Sequence, residues 1–117
     1  MSTKTKEYLQ NIMKVEGVRA VVLLTRDGFI IDNIAGENID PEAIGAVIST
    51  STGTTEVMGK NLALGTFKQS MEEFDQGVIL VTLASDLILS VIADTRVNLG
   101  ALRYTVKKIA PEISQAF

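Results

Sequence analysis

Two apolar runs of strand length, Val78 to Ala84 and Leu87 to Ala93, are separated by Ser85-Asp86 alone. A two-residue link permits an antiparallel hairpin and excludes a parallel crossover, which needs about a dozen residues or more. Neither run alternates apolar with polar positions, as a strand with one wet face does. The pair therefore belongs inside an antiparallel sheet that is covered on both faces. The rest of the chain has to supply neighbouring strands and two covering layers.

The remaining pattern supplies them in order. From Thr3 to Val15, Tyr8, Leu9, Ile12 and Met13 fall near one helical face, and Ser2 or Thr3 can cap the start. Gly17 ends this helix. Arg19 to Thr25 reads as a buried strand, Arg26-Asp27-Gly28 as a hairpin turn, and Phe29 to Ala35 as a second strand. That second strand turns polar at Asp32-Asn33, which suits an edge. Asp40-Pro41-Glu42 is a helix start, with Asp as cap and Pro at the first helical position. The helix predicted there runs to about Met58 and stops near Gly59. Its inner face is expected to hold Ile44, Val47, Ile48, Ser51, Thr55 and Met58, with Ala46, Ser49 and Gly53 forming a second stripe of small residues. The run from Ser49 to Thr55 is poor in helix formers, so packing has to hold it.

Leu64 to Phe74 alternates loosely, carries Lys68, Glu72 and Glu73, and reads as another edge strand. After the central hairpin, Asp94-Thr95 closes it. Asn98 is placed to cap a last helix in which Leu99, Leu102, Val106, Ile109 and Ile113 recur at helical spacing. Pro111 is expected only near the end of that helix, at a kink or a break. The resulting order is α-β-β-α-β-β-β-α. It describes an α/β chain of the α+β kind, with a five-stranded antiparallel sheet, the middle helix on one face and the terminal helices on the other. No linker or repeat divides residues 1–117, which are read as one domain.

Composition narrows the chemistry. The chain has no His and no Cys, so Ser-His-Asp and Cys-His catalysis, His-ligated metals and disulfides are excluded. A net charge of −3 with scattered basic residues, and only six aromatics without Trp, argues against nucleic acid as a partner. No apolar run reaches the roughly 20 residues of a membrane span, so direct membrane insertion is not expected. The opening MSTKTKEYLQ lacks the apolar core of a signal peptide, and a cytoplasmic location is the expectation. Glu72, Glu73 and Asp75 cluster at a strand end and read as a solvated turn. Gly53 to Asn61 glances at a phosphate loop, but its glycine spacing is too long. In addition, Asn61 stands where a hydroxyl is needed, and the segment ends a helix instead of starting one. No cofactor and no enzymatic activity are expected.

The hairpin GVRAVVLLTRDGFII, with Gly17, Val18, Asp27 and Gly28, and the stretch DTRVNLGAL from Asp94 to Leu102 resemble the roadblock/dynein light chain family. The resemblance spans nearly the whole chain and includes the bacterial GTPase-regulating polarity proteins. It implies a profilin/roadblock-like fold and a non-enzymatic regulatory or scaffolding module. It further implies a homodimer or heterodimer with middle helices side by side and sheets joined at their edges. Many members act on small Ras-like GTPases, as activating proteins, exchange factors or scaffolds; others are dynein subunits.

On this basis the expected dimer interface comprises Ala46, Ser49, Gly53, Val57, Thr66, Lys68 and Ser70. The alternative for the small-residue stripe is close packing on its own sheet. Lys68 can equally guard an edge against unwanted pairing. The expected surface for a GTPase partner comprises Glu42, Ala46, Ser49, Thr50, Gly53, Glu56 and Lys60. Arg26, the most exposed candidate of the four arginines for an arginine finger, reads better as ordinary surface charge. A dimeric adaptor subunit without influence on nucleotide turnover is the second functional expectation.

Overall fold

The computed structural model describes residues 3–117. Its elements are α1 (Thr3–Met13), β1 (Val18–Thr25), β2 (Ile30–Ala35), α2 (Pro41–Asn61), β3 (Gln69–Phe74), β4 (Gly77–Ala84), β5 (Leu87–Asp94) and α3 (Leu99–Ala116). The element order is the one expected. The cap proposed at Ser2 or Thr3 lies outside the described residues and side chains.

The five strands form one sheet in the order β2-β1-β5-β4-β3, with every neighbouring pair antiparallel. The central hairpin therefore has neighbours on both sides, β1 beside β5 and β3 beside β4. Its tight turn is made by putting Ser85 at a φ of 60°. The β1–β2 turn uses Gly28 at a φ of 93°, a conformation that glycine adopts without a Cβ clash. Thr25 and Phe29 close it, with the Thr25 N–H donating to the Phe29 carbonyl at 2.9 Å. The two edges are β2 and β3, as their polar residues foretold.

Adjacent residues in the central strands point to opposite layers, and both layers are covered. Val21, Leu23, Leu80, Leu89 and Val91 pack with Leu9 and Ile12 of α1 and with Leu102, Val106, Ile109 and Ile113 of α3. Val22, Leu24, Val81 and Ile88 face the other way and pack with Ile48 of α2. That double burial explains the missing alternation. Ser90, fully buried in β5, has its partner: its hydroxyl donates to the Val22 carbonyl across the β1–β5 pair at 3.0 Å.

Four expectations are corrected. α2 continues two residues past Gly59, to Asn61. Its inner face is rotated from the expected one: Gly45, Ile48 and Thr52 are buried, while Val47 and Met58 are 67% and 55% exposed and Ser51 is also exposed. Gly45 sets this rotation. A Cβ built there would lie 2.7 Å from the Ile30 side chain, so α2 makes a close approach to β2 where it has no side chain. Residues three and seven positions further on then face the sheet. β3 begins only at Gln69, because Ala63 and Gly65 take φ of 55° and 91° and fold residues 62–68 back against the helix end. Finally, α3 passes through Pro111 and continues to Ala116. Its buried residues lie both before and after the proline, so packing on the sheet outweighs the lost backbone hydrogen bond.

The start of the sheet is tied to the start of α3. The Asp94 N–H donates to the Gly17 carbonyl at 2.8 Å. Asn98 caps α3 as expected, its side-chain oxygen accepting from the Ala101 N–H at 2.9 Å. Between them Arg96 forks onto Asp94, Nε to Oδ1 at 3.1 Å and a terminal nitrogen to Oδ2 at 2.9 Å. These hydrogen bonds from Arg96, more than its charge alone, hold the Asp94 carboxyl below its ordinary value of 3.8. Because the folded value is depressed, the contribution of Asp94 to stability is present above the ordinary carboxylate range and disappears as pH falls through the folded value. An NMR titration is expected to show Asp94 ionising below 3.8, and Arg96→Ala to return it upward.

Gly77 opens β4 against Ala93, and a Cβ there would lie 2.3 Å from the Ala93 carbonyl oxygen. Neither backbone can retreat without breaking the β4–β5 ladder. Gly77→Ala is expected to cost roughly 1–3 kcal/mol, as overpacking does. Urea unfolding should show it as a lower midpoint with an unchanged slope.

Candidate interaction surface

α2 is set by its cap. Asp40 accepts from the N–H groups of Glu42 and Ala43 at 3.1 and 3.5 Å, and Pro41 fills the first helical position. Along the helix the hydroxyls turn inward on their own backbone. Ser49 and Thr50 both donate to the Ala46 carbonyl, at 3.0 and 2.9 Å, and Thr54 donates to the Thr50 carbonyl at 3.0 Å. Such bonds satisfy the side chains locally, which mutes the polarity of the Ser/Thr run. The face turned away from the sheet is in consequence only weakly polar. Ala46, Val47, Thr50, Ser51, Gly53, Thr54, Val57 and Met58 are exposed on it, and Glu42, Glu56 and Lys60 are the charges of the whole helix. Exposed Leu62 and Leu64 extend this surface beyond the helix end.

The structure brings part of the expected set together. Gly53, Glu56, Val57, Lys60 and Thr66 line one open groove of about 780 Å³ between α2 and residues 63–67. Gly53 borders open space, with nothing within 4 Å of where its Cβ would be. Glu42, Ala46 and Thr50 are exposed nearer the helix start. Ser49 is half-buried, because it packs under the β1–β2 turn: a Cβ at Gly28 would lie 3.1 Å from its Oγ.

Lys68 and Ser70 fall apart from this group. Lys68 is exposed in the segment ahead of β3, and its carbonyl accepts from the Leu83 N–H at 3.2 Å. Ser70 sits within β3 opposite Val81, on the sheet face that α2 covers elsewhere. Thr66 and Lys68 are thus not strand residues, since the left-handed backbone at Ala63 and Gly65 delays the strand.

Arg26, the candidate arginine finger, is paired with Glu56. The pair straps the β1–β2 turn to the second half of α2. The segment from Gly53 to Asn61 lies inside α2 and ends it, so its backbone N–H groups belong to the helix ladder and cannot cradle a phosphate. Among the described residues, no group of three acidic, His or Cys side chains is placed to hold a metal ion.

Val47 and Met58, expected on the inner face, are exposed, as are Leu62 and Leu64, for which the sequence carries no such expectation. Their signal was present in the composition of α2, which is nearly free of charge around its whole circumference. A helix that is uncharged all round is either buried on all sides or leaves an apolar face for another chain.

A five-stranded antiparallel sheet with α2 on one face and α1 and α3 on the other defines a profilin-like α+β protein. Within that class the fit to Myxococcus xanthus MglB is close in shape, with a TM-score of 0.92 over 98% of this chain and 95% of that one, at 23% identity. Residues 4–93 match the Roadblock/LC7 domain, and the chain belongs to that family. The Methanocaldococcus jannaschii protein MJ0310 is 33% identical over 109 residues, which cover 93% of this chain and 96% of that one. The Ragulator complex protein LAMTOR3 of Pagrus major is 26% identical over 116 residues, covering 98% and 94%.

Proposed function

We propose that the chain is a dimeric, non-enzymatic regulatory module that binds a small Ras-like GTPase across its paired α2 helices and modulates the nucleotide cycle of that partner. The observation that carries this reading is the uncovered face of α2. It is exposed along a helix of 21 residues, weakly polar, and rimmed by Glu42, Glu56 and Lys60. Monomeric soluble proteins rarely leave a contiguous apolar patch of that kind uncovered. An interface core with a charged border has this composition.

Two copies meeting at Gly53 can bring their helix backbones close, since no side chain stands between them there. Ala46, Ser49 and Val57 would flank that contact. Joining of sheets at the β3 edge would engage Ser70 in the ladder, with Thr66 and Lys68 beside it. A dimer shows the α2 face twice around one axis, which leaves a composite surface for one GTPase. Membership of the Roadblock/LC7 family supports a regulatory or adaptor role. The likeness to LAMTOR3, named as a subunit of the Ragulator complex, favours a second reading as an adaptor without effect on nucleotide turnover.

A pull-down from the native organism, followed by turnover measurements with any GTPase recovered, separates the two. Changed GTP hydrolysis or exchange supports the regulator; capture with unchanged turnover supports the adaptor. In sedimentation the wild type is expected to be a dimer at tens of micromolar. Gly53→Leu should weaken that dimer by roughly 1–3 kcal/mol through bulk at the helix contact. A monomeric wild type, or a mutant that dimerises equally well, would return the small-residue stripe to a role within the chain. Glu56→Lys should weaken GTPase binding while leaving the dimer intact. Its cost to folding, from the lost Arg26 pair, should stay within about 1 kcal/mol, as for other exposed ion pairs.

A further inference from the structure

The two edges of the sheet differ. β2 is the edge beside β1. Alternate residues of a strand turn their backbone groups to opposite sides. The Gly36 N–H donates to the Arg19 carbonyl of β1 at 3.1 Å, so Asn33, three residues earlier, turns its own groups away from β1. Asn33 is thus the middle outward position of a six-residue strand, where an incoming strand would have to pair.

Both of its backbone groups are already taken. The Asn33 N–H donates to Asp32 Oδ1 at 2.8 Å. Its carbonyl accepts from the Lys6 ammonium at 2.9 Å, and the same ammonium donates to Asp32 Oδ1 at 2.6 Å. Lys6 reaches this point from α1, and the Asp32 side chain beneath it is only 14% exposed. Next to them Ile31 has no opposite residue on β1, since Leu23 faces Asp32 and Leu24 faces Ile30. An extra residue of this kind bends a strand and raises its twist. A short strand, a bulge and a charge laid over the edge are means by which sheets resist strand addition. β3 has no such arrangement. Arg103 reaches it only at the Met71 sulfur, at 4.0 Å, and among the described residues no side chain bonds its backbone.

We propose that Lys6 and Asp32 form a clasp that closes the β2 edge to a second copy of this chain, and so confine growth of the sheet to β3. Copies joined alternately through β3 and through β2 would extend one continuous sheet whose ends stay open to further copies. With β2 closed, a joint at β3 ends in a dimer. The clasp is built from α1 and β2 alone, so it holds whether or not the β3 joint forms.

The test is sedimentation of the full chain over a range of concentrations. Lys6→Met combined with Asp32→Ala frees both Asn33 groups and leaves neither charge unpaired. This double variant is expected to sediment as heavier species than the wild type, increasingly so with concentration. Those species exceed a dimer if the wild type is dimeric, and are dimers if it is monomeric. Adding Asn33→Pro removes the outward N–H at an edge position that accepts proline, and should restore the wild-type behaviour. A double variant that sediments like the wild type overturns the proposal, as does extra association that survives Asn33→Pro. Hydrogen exchange reads the clasp without any association. The wild-type Asn33 amide should exchange slowly, and about tenfold faster in dilute Asp32→Ala, roughly the loss of one hydrogen bond. A wild-type Asn33 amide that exchanges as fast as an open chain overturns the clasp even where the double variant does not fold. None of these variants touches α2, so failure here leaves the GTPase reading untouched.

Discussion

Strand β5 depends on being paired along both edges and dry on both faces. It runs between β1 and β4, with Ile88 facing the α2 layer and Leu89 and Val91 facing the α1/α3 layer. Burying apolar surface is worth about 25 cal/mol per Å² removed from water, so two open faces would forfeit most of what holds this strand. Each other element meets one of its needs. β1 and β4 take its backbone hydrogen bonds, and the Ser90 hydroxyl finds the Val22 carbonyl across the β1 pair. The tie from Asp94 to Gly17 then hands the end of β5 to α3, which returns over the sheet.

The two covering layers are unequal, and the inequality bears on function. α1 and α3 close the larger core, whereas α2 alone covers the smaller one. α2 is held by its Asp40 cap, by the close approach at Gly45, by Ile48, and by the Arg26–Glu56 strap. Its Ser/Thr hydroxyls are spent on its own backbone, so they add little polarity to the outer face. Exposed Val47, Val57 and Met58 then leave this layer suited to completion by another chain. With Ile48 as its buried apolar anchor and few charges outside, α2 is held by packing more than by its own propensity.

Charge follows the same division. The α2 helix carries three charged residues, and the outer surface of α3 carries Arg103, Lys107 and Lys108 against Glu112.

Much of this was legible in the residues. The two-residue link at Ser85-Asp86 forced a hairpin, and the absence of alternation in its strands forced two covers. The Asp27-Gly28 turn, the Asp40-Pro41 start and the Asn98 cap are local signals that act within a few residues. They decide the local structure because nothing distant competes with them. The Roadblock/LC7 family was also legible, through Gly17, Val18, Asp27, Gly28 and the stretch from Asp94 to Leu102. What the sequence could not determine is the rotation of α2 about its axis. That angle is set by Gly45 against Ile30, a contact between separate elements, while the apolar residues of α2 are spread around it and choose no face. The start of β3 and the passage of α3 through Pro111 belong with it. In each, long-range packing outweighed a local preference, and only the folded chain shows by how much.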